Sequence, residues 1–322
     1  MSERKALVWS ETPDPEPTAD EVLLQVAAAG VNRADCAQRD GWYPPPPGES
    51  PILGLEAAGT IVQVGANVRG WQVGDRATAL LAGGGYAERV AVPAGQLLPI
   101  PAGLDLVQAA ALPEVYATAW LNLVTLGELD GPPQRVLIHA GASGVGTAAV
   151  QLAVALGHRV WVSVGSDAKV TRCRELGADG GTVRTRDDLA ADVQAWAGGV
   201  DVILDPVGAA SLSANQRVLA TDGRLIVIGL LGGRSAPLDL GRLLMKRQRL
   251  LGSTLRSRPR AFKAALCAEL RRRAWPLVEA GALKPLVDAT FAMRDAGDAL
   301  ALLERNQVVG KLILTVEPTS AA

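Results

Sequence analysis

The first third of the chain alternates short apolar runs with turn residues. Glu21–Ala28 and Gly59–Val64 read as strands, and Gly70 and Gly74-Asp75 punctuate the runs around them. The prolines from Pro44 to Pro47, closed by Gly48, hold a stiff loop with neither strand nor helix through it. From Leu106 to Gly127 the apolar period becomes helical. Beyond it, strands at Arg135–Ala140, Arg159–Val164, Gly181–Val183, Val200–Asp205, Arg224–Ile228 and Leu250–Ser253 alternate with helical stretches. That rhythm predicts a doubly wound parallel sheet. The end of the chain breaks it with a helix over Arg260–Ala280, a strand at Thr290–Met293, a helix to Glu304 and a strand at Gly310–Val316. These elements are expected to return to the first domain. The fold class is α/β, with a β-rich domain over 1–115 and 259–322 interrupted by a parallel-sheet domain over 116–258.

The first strand of the parallel sheet carries the chemistry. Val136–His139 runs into a glycine-rich turn, and Val145, Ala149, Leu152 and Leu156 share one face of the helix that follows. Backbone N–H groups and the positive end of a helix converge on negative charge at such a junction. Gly141, Ser143 and Gly146 form a G-x-S-x-x-G variant of the dinucleotide fingerprint, with Gly144 added, between the strand and helix it needs. Ser143, Gly144, Val145, Gly146 and Thr147 are the expected cofactor contacts, although the Ser143 hydroxyl serves equally well to stabilise the turn. The inserted domain therefore reads as a Rossmann domain.

An NAD site places a carboxylate at the end of the second strand to bind the ribose 2′-hydroxyl. Here that place reads Val164-Gly165-Ser166, so nothing at the strand end repels a 2′-phosphate. Ser166 has a hydrogen bond to offer, Lys169 lies within one turn, and Arg184 and Arg186 follow the next strand. NADPH is the expected cofactor. Asp167, one residue past Ser166, argues the other way, and each of the three cations taken alone is equally an ordinary solvated charge.

At 322 residues the chain has room for two cores, and a net charge of −1 excludes a chain-wide attraction to nucleic acid. The exception is local: the basic residues between Arg242 and Arg273 are opposed in sequence only by Glu269. They read as a solvated loop and helix face, with an RNA surface as the minority reading. Cys36, Cys173 and Cys267 are far apart and offer no disulfide or metal-knuckle spacing, which fits a reducing cytoplasm. Glu3, Arg4 and Lys5 replace any apolar signal core, and Ala140–Gly157 is too polar for a membrane span.

The order of β-rich domain, inserted Rossmann domain and returning C-terminus resembles the medium-chain dehydrogenase/reductase superfamily. Within it the chain is similar to the zinc-independent, zeta-crystallin-like quinone oxidoreductases. The resemblance rests on Val31-Asn32-Arg33-Ala34-Asp35, Gly41-Trp42-Tyr43-Pro44, Gly54-Leu55-Glu56-Ala57-Ala58-Gly59, Leu204-Asp205-Pro206-Val207-Gly208, Gly223–Gly229 and Val309-Gly310-Lys311. Leu230-Leu231-Gly232-Gly233 and Leu255-Arg256-Ser257-Arg258 are nearest to the tumour-suppressor-inducible NADPH quinone oxidoreductase branch. The resemblance covers nearly the whole chain and implies a GroES-like catalytic domain around the Rossmann insertion.

The departures from the zinc enzymes of this superfamily are chemical. Asn32 stands where they use Cys, and Gly54-Leu55-Glu56 where they use Gly-His-Glu. Leucine cannot ligate zinc and asparagine does so poorly. The two histidines do not repair the loss. His139 ends a strand as a core or loop-facing residue, and His158 follows a helix C-terminus, where a cation is mildly favoured. The expected acceptor is therefore a quinone, or alternatively an enone, which spreads incoming charge without a Lewis acid. Transfer is by hydride or, as in parts of the family, by single electrons.

By the same resemblance Asn32 and Asp35 lie near the nicotinamide and ribose, and Tyr43 closes the cleft or packs on the proline run. Gly229, Leu230 and Leu231 grip the carboxamide, and Leu255, Arg256 and Ser257 line the cleft or form a linker. Asn306 contacts the cofactor or caps a helix. Asp205 and Glu56 are read as structural carboxylates, and no residue is assigned as a general acid or base. The family further implies a homodimer pairing through the last Rossmann strand, near Leu250–Ser253.

Overall fold

The computed structural model describes residues 6–316. The chain opens with β1 (Glu21–Val31), α1 (Arg33–Arg39), β2 (Glu56–Val64), β3 (Arg76–Leu80), β4 (Arg89–Pro93), β5 (Leu97–Pro99), α2 (Leu106–Ala109) and α3 (Pro113–Ala119). Next come β6 (Arg135–His139), α4 (Gly144–Ala155), β7 (Arg159–Val164), α5 (Asp167–Glu175), β8 (Gly180–Val183) and α6 (Leu189–Ala197). They lead into β9 (Val200–Asp205), α7 (Ala209–Val218), β10 (Leu219–Val227), α8 (Leu240–Met245) and β11 (Arg249–Gly252). The chain closes with α9 (Arg260–Glu269), α10 (Trp275–Glu279), β12 (Val287–Ala292), α11 (Ala296–Glu304) and β13 (Lys311–Thr315). These elements form two units. One runs to Ala117 and resumes over Leu255–Gly281 and from Pro285; the other is Thr118–Thr254 with Ala282–Lys284.

The first unit is built on a seven-stranded sheet in the order β12-β13-β1-β2-β3-β5, with β4 also on β1. The returning C-terminus joins it as expected: Ala28 to Val31 of β1 pair with β13, while Glu21 to Gln25 pair with β4. Because β1 is covered on both faces, it is a nearly continuous apolar run instead of an alternating one. Val22, Leu24, Val26, Ile61, Leu312 and Leu314 share its core. Val31 pairs with Leu312, which sets Lys311 at the end of β1, beside Asn32.

The second unit is a six-stranded parallel sheet in the order β11-β10-β9-β6-β7-β8. This is the doubly wound arrangement, and its order reverses between β6 and β9, where open sheets bind ligands beyond the strand ends. Leu137, Ile138, Val162, Ile203 and Leu225 are fully buried in it.

Three local expectations change. The helical stretch from Leu106 is α2, α3 and a π-helical segment, Trp120–Leu126. The C-terminal helix is α9 and α10 with a π-helical segment between them, Leu270–Ala274. Pro276 lacks an N–H and its ring crowds the carbonyl four residues back, which favours the wider turn there. His158 is not a surface cation. It is buried, its Nδ1 accepts from the Gln134 N–H at 3.1 Å and its Nε2 lies 3.3 Å from the Leu129 carbonyl. That pattern fits the neutral ring, and burial pushes its pKa below the usual value.

Three arginines of the basic run from Arg242 to Arg273 are paired by acids from elsewhere in the chain. Arg247 meets Asp222 at 2.6 Å, Arg249 meets Glu128 at 2.7 Å and Arg260 meets Glu21 at 2.7 Å. Arg256 and Lys263 are buried. The run is therefore not a continuous basic stripe. No described helix is long and apolar enough to cross a membrane.

Candidate active site

In the parallel-sheet unit the turn after β6 divides its glycines between two tasks. A Cβ on Gly141 would lie 2.7 Å from the Val162 side chain, and one on Gly146 would lie 2.3 Å from the Ala140 carbonyl. Both are needed for the chain to pack on itself. Ser143 is exposed, and Gly144 and Val145 are half-exposed. The Ser143 hydroxyl caps α4 by accepting from the Gly146 N–H at 3.1 Å, so it serves the turn. Thr147 faces inward and donates to the Gly144 carbonyl at 3.0 Å. The N–H groups of Gly144 and Val145, the first two of the helix, have no acceptor within it. This is a cradle that fits a pyrophosphate.

At the end of β7 the Ser166 hydroxyl caps α5 from the Lys169 N–H at 3.4 Å. Arg186 reaches this edge but is engaged there by carboxylates. It clamps Asp167 with two bonds of 2.7 and 2.9 Å and also holds Asp187 at 2.7 Å. Those bonds pull the Asp167 carboxyl below the usual carboxylate range. Arg184 is exposed, and its guanidinium lies 3.7 Å from where a Cβ on Gly165 would stand. The acid that argued for NADH is therefore already neutralised, while Arg184 stays at the strand end.

Asp205 is structural, as the sequence suggested. It accepts from the N–H groups of Val207 at 2.6 Å and Gly208 at 3.1 Å, from the Ser211 hydroxyl at 2.7 Å and from the Asn215 amide at 2.8 Å. Asn215 passes the chain to His139 Nε2 at 2.7 Å, tying the ends of β9 and β6 together on either side of the switch point. Burial holds His139 below its usual pKa, hence neutral. Gly229 packs on Pro206, and Leu230 and Leu231 are exposed beside it.

In the other unit Asn32 begins α1, and Asp35 in the first turn reaches back to its N–H at 2.7 Å. Asp35 also accepts from the Tyr86 hydroxyl at 2.9 Å and the Gly54 N–H at 3.2 Å. It is fully buried, and burial outweighs these bonds to push its carboxyl up to about 6. Asp35 thus holds the Asn32 backbone in place. The Asn32 side chain turns toward Glu56, read from the sequence as a structural carboxylate, and Lys311. Its amide donates to Glu56 Oε1 at 3.0 Å, and its carbonyl accepts from Lys311 Nζ at 2.7 Å. Lys311 also donates to the Val31 carbonyl at 2.8 Å and pairs with Glu56 Oε1 at 2.6 Å, so its three protons have three acceptors. The other Glu56 oxygen accepts from the Glu114 N–H at 2.9 Å. A Cβ on Gly30 would fall 2.2 Å from the Glu56 carboxylate, which makes glycine the residue that fits beside it.

Tyr43 is half-buried under Arg256, whose guanidinium lies 5.4 Å from the ring centroid. Arg256 donates to the Tyr43 carbonyl at 3.0 Å and the Ala82 carbonyl at 2.7 Å. Arg256 thus fixes the tyrosine loop. Leu255 is buried and Ser257 exposed. Asn306 is a helix end: its φ of 56° is left-handed and its side chain accepts from Arg33 at 2.7 Å. Lys311 and Glu114 had one readable signal between them, a lysine opening an apolar strand.

The donor set does not fit zinc. Asn32 and Leu55 replace its ligands, a lysine ammonium already occupies Glu56, and no group of three metal-ligating side chains exists among the described residues.

Residues 18–102 match the alcohol dehydrogenase GroES-like domain and residues 144–270 the zinc-binding dehydrogenase domain. The fold is similar to the quinone oxidoreductase of Thermus thermophilus, solved also with NADPH, at 33% identity over 95% of each chain with a TM-score of 0.81. It is likewise similar to the Escherichia coli quinone oxidoreductase solved with NADPH, at 27% identity over 95% of this chain and 94% of that one, with a TM-score of 0.85. A polyketide synthase, GfsB of Streptomyces halstedii, is 34% identical over 92% of this chain, which spans only 5% of that protein's length.

Proposed function

The chain belongs to the medium-chain dehydrogenase/reductase superfamily, and on that premise we propose that it is an NADPH-dependent, metal-independent reductase of quinones. We further propose that it falls in the tumour-suppressor-inducible branch, on the likeness of Leu230-Leu231-Gly232-Gly233 and Leu255-Arg256-Ser257-Arg258. The observation that carries the reading is the Lys311–Glu56 pair of 2.6 Å where zinc relatives hold their metal ligands. With that donor set closed by an ammonium, a simple ketone has no Lewis acid to polarise it. A quinone needs none, because its conjugated oxygens carry the incoming charge.

A bound nicotinamide supplies the reducing equivalent. The N–H groups of Gly144 and Val145 would hold its pyrophosphate, and Ser166, Lys169 and Arg184 its 2′-phosphate. Asn32 and Tyr43, held by Asp35 and Arg256, would hold the acceptor in position. Likeness to quinone oxidoreductases solved with NADPH supports both halves of the reading. Likeness to a polyketide synthase favours a second reading, reduction of an enone on the same scaffold. We also propose a homodimer joined at β11, an edge strand that pairs only with β10 among the described residues.

The test is a panel of ortho-quinones, para-quinones and alkenals, each assayed with NADPH and NADH. Quinone turnover with NADPH preferred is expected. Turnover confined to alkenals would select the second reading, and preference for NADH would reverse the cofactor.

A further inference from the structure

We propose that Glu114 is the acid that delivers the proton when the acceptor is reduced, working beside Tyr43 and Arg256; this rests on the function proposed above. Glu114 stands in the first turn of α3, and its position is fixed by its own N–H, which donates to Glu56 at 2.9 Å. Its carboxyl has no hydrogen-bond or ion-pair partner among the described residues and is only half-buried. No other carboxyl of this buried network is left over, since those of Asp35 and Glu56 are filled with donors.

The neighbours of Glu114 are spare in the same way. Arg256 is buried with Nη2 unpartnered, although its other nitrogens are used. The Tyr43 hydroxyl has no partner among the described residues either. The charges of Glu114 and Arg256 both act on Tyr43, and Glu114 acts on Arg256. A donor without an acceptor, a free hydroxyl and a free carboxyl thus share one corner of the unit. An oxygen-bearing acceptor would satisfy them.

The charged groups facing Glu114 are Glu56 of β2, Asp35 of α1, Lys311 of β13, Lys263 of α9 and, just before α9, Arg256. Lys311 is saturated by its three acceptors, and Lys263 donates to the Arg256 carbonyl at 3.3 Å, so neither ammonium is bonded to Glu114. Partial burial and the nearby Glu56 carboxylate push the Glu114 carboxyl up to about 8, so it carries its proton at neutral pH.

The step balances. The acceptor carbon takes a hydride, two electrons and one proton, from the reduced nicotinamide, which is oxidised. The electron pair of the conjugated bond moves to the acceptor oxygen. The O–H bond of Glu114 breaks, its proton goes to that oxygen, and solvent returns a proton to the carboxylate.

Two measurements test this. With NADPH and the best acceptor of the panel, Glu114→Gln is expected to lower kcat about 100-fold. KM should change little, Glu114→Asp should restore part of the rate, and the fall in kcat above pH 8 should vanish in the Gln variant. Independently of turnover, carboxyl-carbon NMR of glutamate-labelled protein should show one resonance, absent from Glu114→Gln, that titrates near pH 8. An unchanged rate and pH profile in Glu114→Gln, or a Glu114 resonance titrating in the ordinary carboxylate range, would overturn the role while leaving the function standing. Failure of the unaltered protein to reduce any quinone or enone would overturn both.

Discussion

Lys311 Nζ lies 2.6 Å from Glu56 Oε1, and both side chains are shut away from water. A buried ion pair contributes little net stability over an apolar substitute, yet breaking one strands a charge. Lys311→Met is therefore expected to lower the unfolding free energy by about 3–5 kcal/mol. Adding Glu56→Gln to it should recover much of the loss. Urea unfolding of the two variants checks this; equal loss in both would mean that the packing, not the charge, matters.

Arg186 masks Asp167. Removing it in Arg186→Ala frees a carboxylate beside the ribose edge. The KM for NADPH is expected to rise about tenfold relative to that for NADH, equivalent to about 1.4 kcal/mol. Arg184→Ala should move the ratio the same way by loss of a cation instead of release of an anion. Steady-state kinetics with both cofactors would expose an unmoved ratio.

His139 and His158 are both held below their usual pKa by burial. The unfolded chain binds protons on them that the folded one refuses, so their contribution is complete above about pH 6.5 and is lost as pH falls below it. Asp35, raised to about 6, works in the opposite sense, its contribution fading as pH rises through that value. The histidine part is isolated by His158→Asn, whose stability should decline less than the parent's between pH 7 and 5. An identical slope by denaturant titration would assign the acid sensitivity elsewhere.

Leu240, Leu244 and Met245 of α8 are mostly exposed, just before the edge strand β11. If the dimer forms there, Leu244→Glu with Met245→Glu should yield a monomer by light scattering with its fold intact by circular dichroism. A parent that is already monomeric at micromolar concentration would sink the dimer.

Much of the architecture was legible because its signals are local. β7 and β9 appear at the expected residues, since a parallel strand buried on both faces is an unbroken apolar run bounded by glycine and polar residues. The Gly141–Gly146 turn announced itself for the same reason. The π-helical segments were not legible, since they arise from how Pro276 or the packing around Trp120 is accommodated. The cluster built on Glu56 and Lys311 was also hidden. These residues are 255 positions apart, and only the pairing of β13 with β1 brings the lysine to Asn32. The partners of Arg247 and Arg249 likewise sit in other parts of the chain, so a basic run in sequence became separate ion pairs in space.

The glycines of the β6–α4 turn carry a lesson for any chain bearing this signature. Two of the three are demanded by the protein's own bulk, Gly141 by Val162 and Gly146 by the carbonyl of Ala140. A descendant that had abandoned dinucleotides altogether would still need both, and would still score as a nucleotide binder. Whether the ability to hold phosphate survives would be visible instead at the first two amide groups of α4, which the helix itself leaves without an acceptor.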